Sequence, residues 1–308
     1  MNDEQSVSTR RVAARDRFLA ACSLAGAATT AYRGPEVSTE PQPYWIDIAR
    51  LGSPDAPNVL VLSCGLNGAE GYCGSTIMTE WLSAGHQRDV PRDVGLIMLH
   101  AIIPAGYSAG GAAAPEHPPQ RRWTDNVLSA AARRFATYAE AAGLKTELAP
   151  GPGDGREREV GWIAAASDVI AEEAIEHARH VAVLEFHTSL SPYGDVSVAS
   201  AHPPASAASG RLKSWFGDEA RPGEAAALDL FAFGFGARLA DLTLTAAHVE
   251  FGAYTIGGVL GLDARRTIQG RHADARALFS PDTEAWRDHI ASEGARLVGL
   301  ALGGLAAS

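Results

Sequence analysis

The chain of 308 residues reads as an α/β protein built on a mixed, mainly parallel sheet flanked by helices. Three observations predict this. Val59-Leu60-Val61-Leu62 and Val181-Ala182-Val183-Leu184 are apolar throughout rather than alternating, the pattern of central strands covered on both faces. Such runs interleave with longer segments of helical character, as parallel strands require for their crossovers. Polar clusters gather at the carboxyl ends of the runs, where open α/β sheets bind ligands.

The elements follow in order. A helix is expected over Val12–Ala27, then strands at Tyr44–Ile48 and Val59–Ser63. A glycine-rich turn, Gly65 to Gly71, leads into a helix at Gly74–Ala84 and a strand at Val94–His100. Helices are expected at Thr124–Ala142 and Gly161–Ala178, then strands at Val181–Phe186 and Asp195–Ser200. A helix at Gly223–Ala240, a strand at Leu244–Phe251 and helices at Tyr254–Gly270 and Asp282–Leu305 complete the chain. Two zones rich in Gly, Pro and Ala, Ala105–Gln120 and Ala149–Arg158, are too short to part independent domains, so residues 1–308 read as one domain. The first of them has the composition of a lid or docking loop.

Composition narrows the function. With 46% hydrophobic and 20% charged residues the chain can bury a substantial core. A net charge of −10 speaks against nucleic acid, which selects basic surfaces. No run approaches the roughly 20 apolar residues of a membrane span. Arg10-Arg11 ahead of Phe18-Leu19-Ala20-Ala21 imitates an export signal, but Arg15, Asp16 and Arg17 interrupt it and an opening helix is expected. Cys22, Cys64 and Cys73 make no disulfide framework, and a cytoplasmic location is expected. Cys64 and Cys73 read as small core residues rather than nucleophiles, which need an adjacent base and an electropositive setting.

The chemistry lies at the strand ends. Alternation with period two places Glu185 and His187 on one side of their strand, and His248 and Glu250 on one side of theirs. Any one of them alone reads as a hydrogen-bonded polar group at a strand end. Glu70 after one strand, His100 closing another, and these two pairs together point to a pocket.

Several motifs resemble the M14-like family DUF2817, relatives of zinc carboxypeptidases and succinylglutamate desuccinylases. They are Ile46-Asp47-Ile48-Ala49-Arg50-Leu51-Gly52, Ser63 through Ser75, His187-Thr188-Ser189-Leu190-Ser191-Pro192-Tyr193-Gly194, Glu250-Phe251-Gly252-Ala253, and Phe279 through Arg287. The resemblance implies a zinc-carboxypeptidase-like fold, metal ligands at positions 67, 70 and 187, and a general base at Glu250. Asn67 stands where the family has its first histidine ligand. The family's arginine-bearing segment survives only as Asp125-Asn126-Val127, leaving Arg133 or Arg134 to reach the pocket.

An amide oxygen is a poor substitute for imidazole at zinc, whose catalytic sites need three good protein ligands. The expectation is therefore no cofactor. Zinc on Glu70, His187 and Asn67 is the alternative. Glu250, Glu70 and His187 are the catalytic candidates, with Asn67, His100, Glu185, His248, Tyr193, Arg133 and Arg134 lining the substrate site.

The leading reading is a metal-independent enzyme of specialised metabolism. In it a carboxylate base acts on a small or carrier-presented amine, for example by intramolecular displacement of an anionic leaving group. The alternatives are a zinc amidohydrolase or carboxypeptidase with altered ligands, and a non-catalytic subunit that activates a protein partner. A homo-oligomer is also compatible with the sequence.

Overall fold

A segment such as Asn58-Val59-Leu60-Val61-Leu62-Ser63-Cys64, with no position suited to water, is stable only where both faces of a sheet are covered. The computed structural model puts it there, with all seven residues buried. The structure describes residues 3–33, 45–65, 71–101, 177–222, 242–254, 281 and 283–308. Its strands are β1 (Ala28–Arg33), β2 (Trp45–Leu51), β3 (Asn58–Cys64), β4 (Val94–His100), β5 (His180–Pro192), β6 (Val196–Ser200), β7 (Ala220–Pro222) and β8 (Thr243–Tyr254). The helices are α1 (Asp3–Ala25), α2 (Tyr72–Ser83), α3 (Ala207–Phe216) and α4 (Glu284–Ala306).

All eight strands form one sheet in the order β1-β2-β4-β3-β5-β8-β6-β7. β4, β3, β5 and β8 run parallel, while β2 joins β4 and β6 joins β8 antiparallel. The result is the mixed, mainly parallel sheet expected from the apolar runs.

Alternation along the central strands divides their side chains between two faces. Leu62 and Cys64, Met98, Leu184 and Phe186, and Val249 and Phe251 share a core with Phe18 of α1, Ile77 and Trp81 of α2, Leu212 of α3, and Trp286 and Leu297 of α4. The four helices thus line one face, α1 against α2, α2 against α4, and α4 against α3. Polar side chains start two of them: Ser206 Oγ accepts the Ser209 amide of α3, and Thr283 Oγ1 accepts the Trp286 amide of α4. Arg15 of α1 is tied to the sheet by a two-pronged ion pair with the buried Asp47 of β2, at 2.6 and 2.8 Å.

Each of the six predicted strands is present, and β5 and β8 run several residues further than their apolar cores. β1, β7 and α3 were not foreseen. β1 (Ala-Thr-Thr-Ala-Tyr-Arg) has no apolar alternation, and β7 is only three residues long. α3 has just three buried residues, Ala208, Leu212 and Phe216, too few for its periodicity to stand out. The expected helices Thr124–Ala142 and Gly223–Ala240 and the loop 105–120 lie outside the described residues. So do nearly all of Gly161–Ala178, whose residues 177 and 178 are not helical, and all of Tyr254–Gly270 beyond Tyr254, the last residue of β8. Among the described residues, no helix is long and apolar enough to cross a membrane.

Candidate functional site

Parallel pairing in register carries the strand-end residues of β3, β5 and β8 to one level. Ser63 faces Glu185, which faces His248. Two residues further on, His187 faces Glu250, and the antiparallel β6 adds Ser197 beside Glu250. The period of two puts both rungs on the sheet face opposite the four helices. A strand such as Leu184-Glu185-Phe186-His187 can alternate in this way because Leu184 and Phe186 fill the helix-side core while Glu185 and His187 point away from it.

In the lower rung, Ser63 Oγ donates to Glu185 Oε2 at 2.6 Å, and both residues are fully buried. His248 completes it. Its side chain is nearly all buried, and neither ring nitrogen has a hydrogen-bond partner among the described residues. Burial pushes its pKa down to about 3, and the neighbouring His187 adds to the effect. His248 is therefore neutral at pH 7, with one ring N–H and one lone pair.

In the upper rung, Ser197 Oγ donates to Glu250 Oε2 at 3.1 Å. The other oxygen, Oε1, lies 4.0 Å from Nε2 of His187, with the glutamate side chain 33% exposed. His187 Nδ1 is 3.1 Å from the Thr188 carbonyl, which can only accept, so the proton resides on Nδ1 and Nε2 presents its lone pair. Burial lowers the His187 pKa, opposed by Glu250 and the Thr188 carbonyl. The rungs meet where the His187 and His248 rings pack edge to face, 5.2 Å between centroids. A neutral imidazole nitrogen and a carboxylate oxygen thus lie 4.0 Å apart at the carboxyl ends of β5 and β8.

Close packing supports this geometry. β5 breaks register with β8 between Ser189 and Pro192, and its chain folds over Gly252 of β8. A Cβ at Gly252 would collide with the Pro192 carbonyl and the Ser191 side chain, so only glycine fits two residues beyond Glu250.

His100 goes elsewhere. Its ring stacks on Phe18 of α1 at 4.6 Å, and its Nε2 is 2.8 Å from Ser75 Oγ of α2. It faces the helices, opposite the two rungs, because it closes β4 at the parity of Met98. Tyr193 is also carried to the helix side, where it packs on Trp286 and His289 of α4 while remaining 44% exposed. Neither residue joins the rungs. Asn67, Glu70, Arg133 and Arg134 lie outside the described residues. Ser63 and Ser197 escaped the sequence reading, since hydroxyls in strands are common and only strand order brings them beside the carboxylates. Cys64 and Cys73 are buried in the helix-side core.

Residues 8–112 match the model of a family described as Protein of unknown function (DUF2817). Over that stretch the chain is DUF2817-like. The match covers the opening helix, the first motif strand and the glycine-rich turn on which the resemblance was read. No curated protein matches the chain. Among solved structures, a candidate metallopeptidase of Shewanella baltica is 14% identical, covering 93% of both chains with a TM-score of 0.45. A candidate carboxypeptidase of Burkholderia mallei is 14% identical, covering 96% of this chain and 67% of its own, with a TM-score of 0.48. The glutaminyl cyclase of Macrostomum lignano is 12% identical, covering 95% of this chain and 82% of its own, with a TM-score of 0.43.

Proposed function

We propose that the protein is a metal-independent enzyme of specialised metabolism that uses Glu250 as a general base on a small or carrier-presented amine. The supporting observation is the upper rung: a partly exposed carboxylate, oriented by Ser197 and facing the lone pair of a neutral His187. A protonated amine beside Glu250 can donate one of its N–H groups to the carboxylate. As its proton passes to Glu250, the nitrogen lone pair is released for attack. In an intramolecular displacement, nitrogen forms a bond to the carbon bearing an anionic leaving group. The carbon–leaving-group bond breaks, and its electron pair departs with the anion. Glu70, with His187, would orient the amine or supply an acid.

The zinc that the resemblance implies does not suit this donor set. Asn67 offers an amide oxygen where an imidazole is needed. Glu185 and His248 would flank the reacting groups one rung below.

Glu250→Gln keeps the shape and removes the base. In the native pathway, product formation should fall by about 10²–10⁴-fold, with metal content unchanged by elemental analysis. Undiminished product would refute the catalytic reading and leave a binding subunit. Near-stoichiometric zinc in protein purified without added metal, together with activity lost on chelation, would establish the hydrolase alternative.

A further inference from the structure

Among the described residues, the two edge strands of the sheet are finished differently. β7 is three residues long and contains Arg221 and Pro222, the short, charged and proline-bearing design that discourages further pairing. β1 has six residues, all in register with β2, and its first four, Ala28-Thr29-Thr30-Ala31, are all exposed. Four successive exposed residues mean that neither face of this part of the strand is covered, since alternation would otherwise hide every second one. Beside it, in the last turn of α1, Leu24 is 87% exposed. Such a strand gains little from burial to offset its ordering, and its outer row of amides and carbonyls is a template for another strand.

Charge indicates which strand. The chain has 36 acidic residues, yet Arg17 through Pro35 contains none. A surface free of carboxylates is what a protein of net charge −10 needs to meet its own kind. The only charge within β1 is Arg33, at its last position. Antiparallel self-pairing centred between Thr30 and Ala31 sets position 33 against position 28 of the other copy, an alanine, so like charges never oppose. The central positions bring threonine and alanine together, pairs that an antiparallel ladder accommodates.

We propose that β1 is a dimerisation strand, pairing antiparallel with β1 of a second copy across a two-fold axis and joining two eight-stranded sheets, with Leu24 of each copy covered at the seam. The proposal is independent of the catalytic reading.

Light scattering on the eluting full chain tests it, together with hydrogen exchange at several protein concentrations. The expected result is a mass twice that of the chain, with amides of residues 28–33 exchanging more slowly as concentration rises. The double variant Thr29→Lys, Thr30→Lys brings like charges together across the axis and should elute as a monomer with an unchanged circular dichroism spectrum. Leu24→Glu should shift the dimer toward monomer without abolishing it. If the double variant does not fold, exchange on the unaltered protein still decides the matter. A monomer with rapidly exchanging β1 amides at every concentration overturns the proposal. So does a dimer indifferent to the lysines, or pairing of β1 only with a different protein.

Discussion

The two faces of β5 and β8 are made by alternate residues of the same strands, yet they obey different rules. Toward the helices, Phe186 and Phe251 are fully buried, and packing is so close that a Cβ on Gly74 of α2 would lie 2.5 Å from Cys64 Cβ and 2.8 Å from Phe186 Cβ. Away from the helices, Glu185, His187, His248 and Glu250 hold polar atoms against one another, and His248 keeps two buried ring nitrogens without a partner among the described residues. Burial without satisfaction is costly. The helix side is packed with apolar residues, and the rung side carries the polar groups at the strand ends.

Truncation should separate the two faces most sharply. Phe186→Ala opens a cavity beneath α2 and should cost about 3–5 kcal/mol in a denaturant titration; a loss as small as that of a surface change would show that the helix side is not the stabilising face.

Acid should expose a debt shared by both faces. Burial pushes His100, on the helix side, and His248, on the rung side, down to about 3. In the unfolded chain both take up protons near the ordinary value of about 6.5. Between those values the unfolded state binds protons that the folded state refuses, so stability is intact above 6.5 and declines as pH falls. Each group contributes up to about 1.4 kcal/mol per pH unit. His100→Leu and His248→Leu should each flatten the acid limb of a stability-versus-pH curve, and an unaltered slope in either would remove that residue from the account.

Ser63→Ala takes a buried donor from Glu185 and should destabilise by about 1–3 kcal/mol, measured by thermal unfolding at neutral pH. A neutral outcome would mean that other partners of Glu185 suffice. Ser197→Ala should change stability least, by under about 1 kcal/mol, yet reduce product formation, though less than Glu250→Gln does. Equal product yield with altered melting would make Ser197 structural rather than positioning.

Six strands and three of the four described helices were legible in the sequence because an apolar run or a helical period survives in one dimension. β1 was not, since Thr and Ala with both faces exposed leave no hydrophobic pattern to read. The pairs Glu185 with His187 and His248 with Glu250 were legible too, because alternation is a local property of a strand. His100 was assigned to the pocket from its position at a strand end and Tyr193 from the resemblance of its motif, and the sheet face each occupies could not be judged there. His100 follows the parity of Met98 into the helix side, and Tyr193 turns onto α4.

The amino-acid order alone determined an α/β sheet with polar ends and a DUF2817-like opening third. These are facts of composition, period and motif. That Ser197 reaches Glu250, that His187 and His248 meet edge to face, and that β1 is an edge strand among the described residues depended on which strands lie side by side. Strand neighbours are chosen by long-range packing and register, and no local pattern encodes that choice.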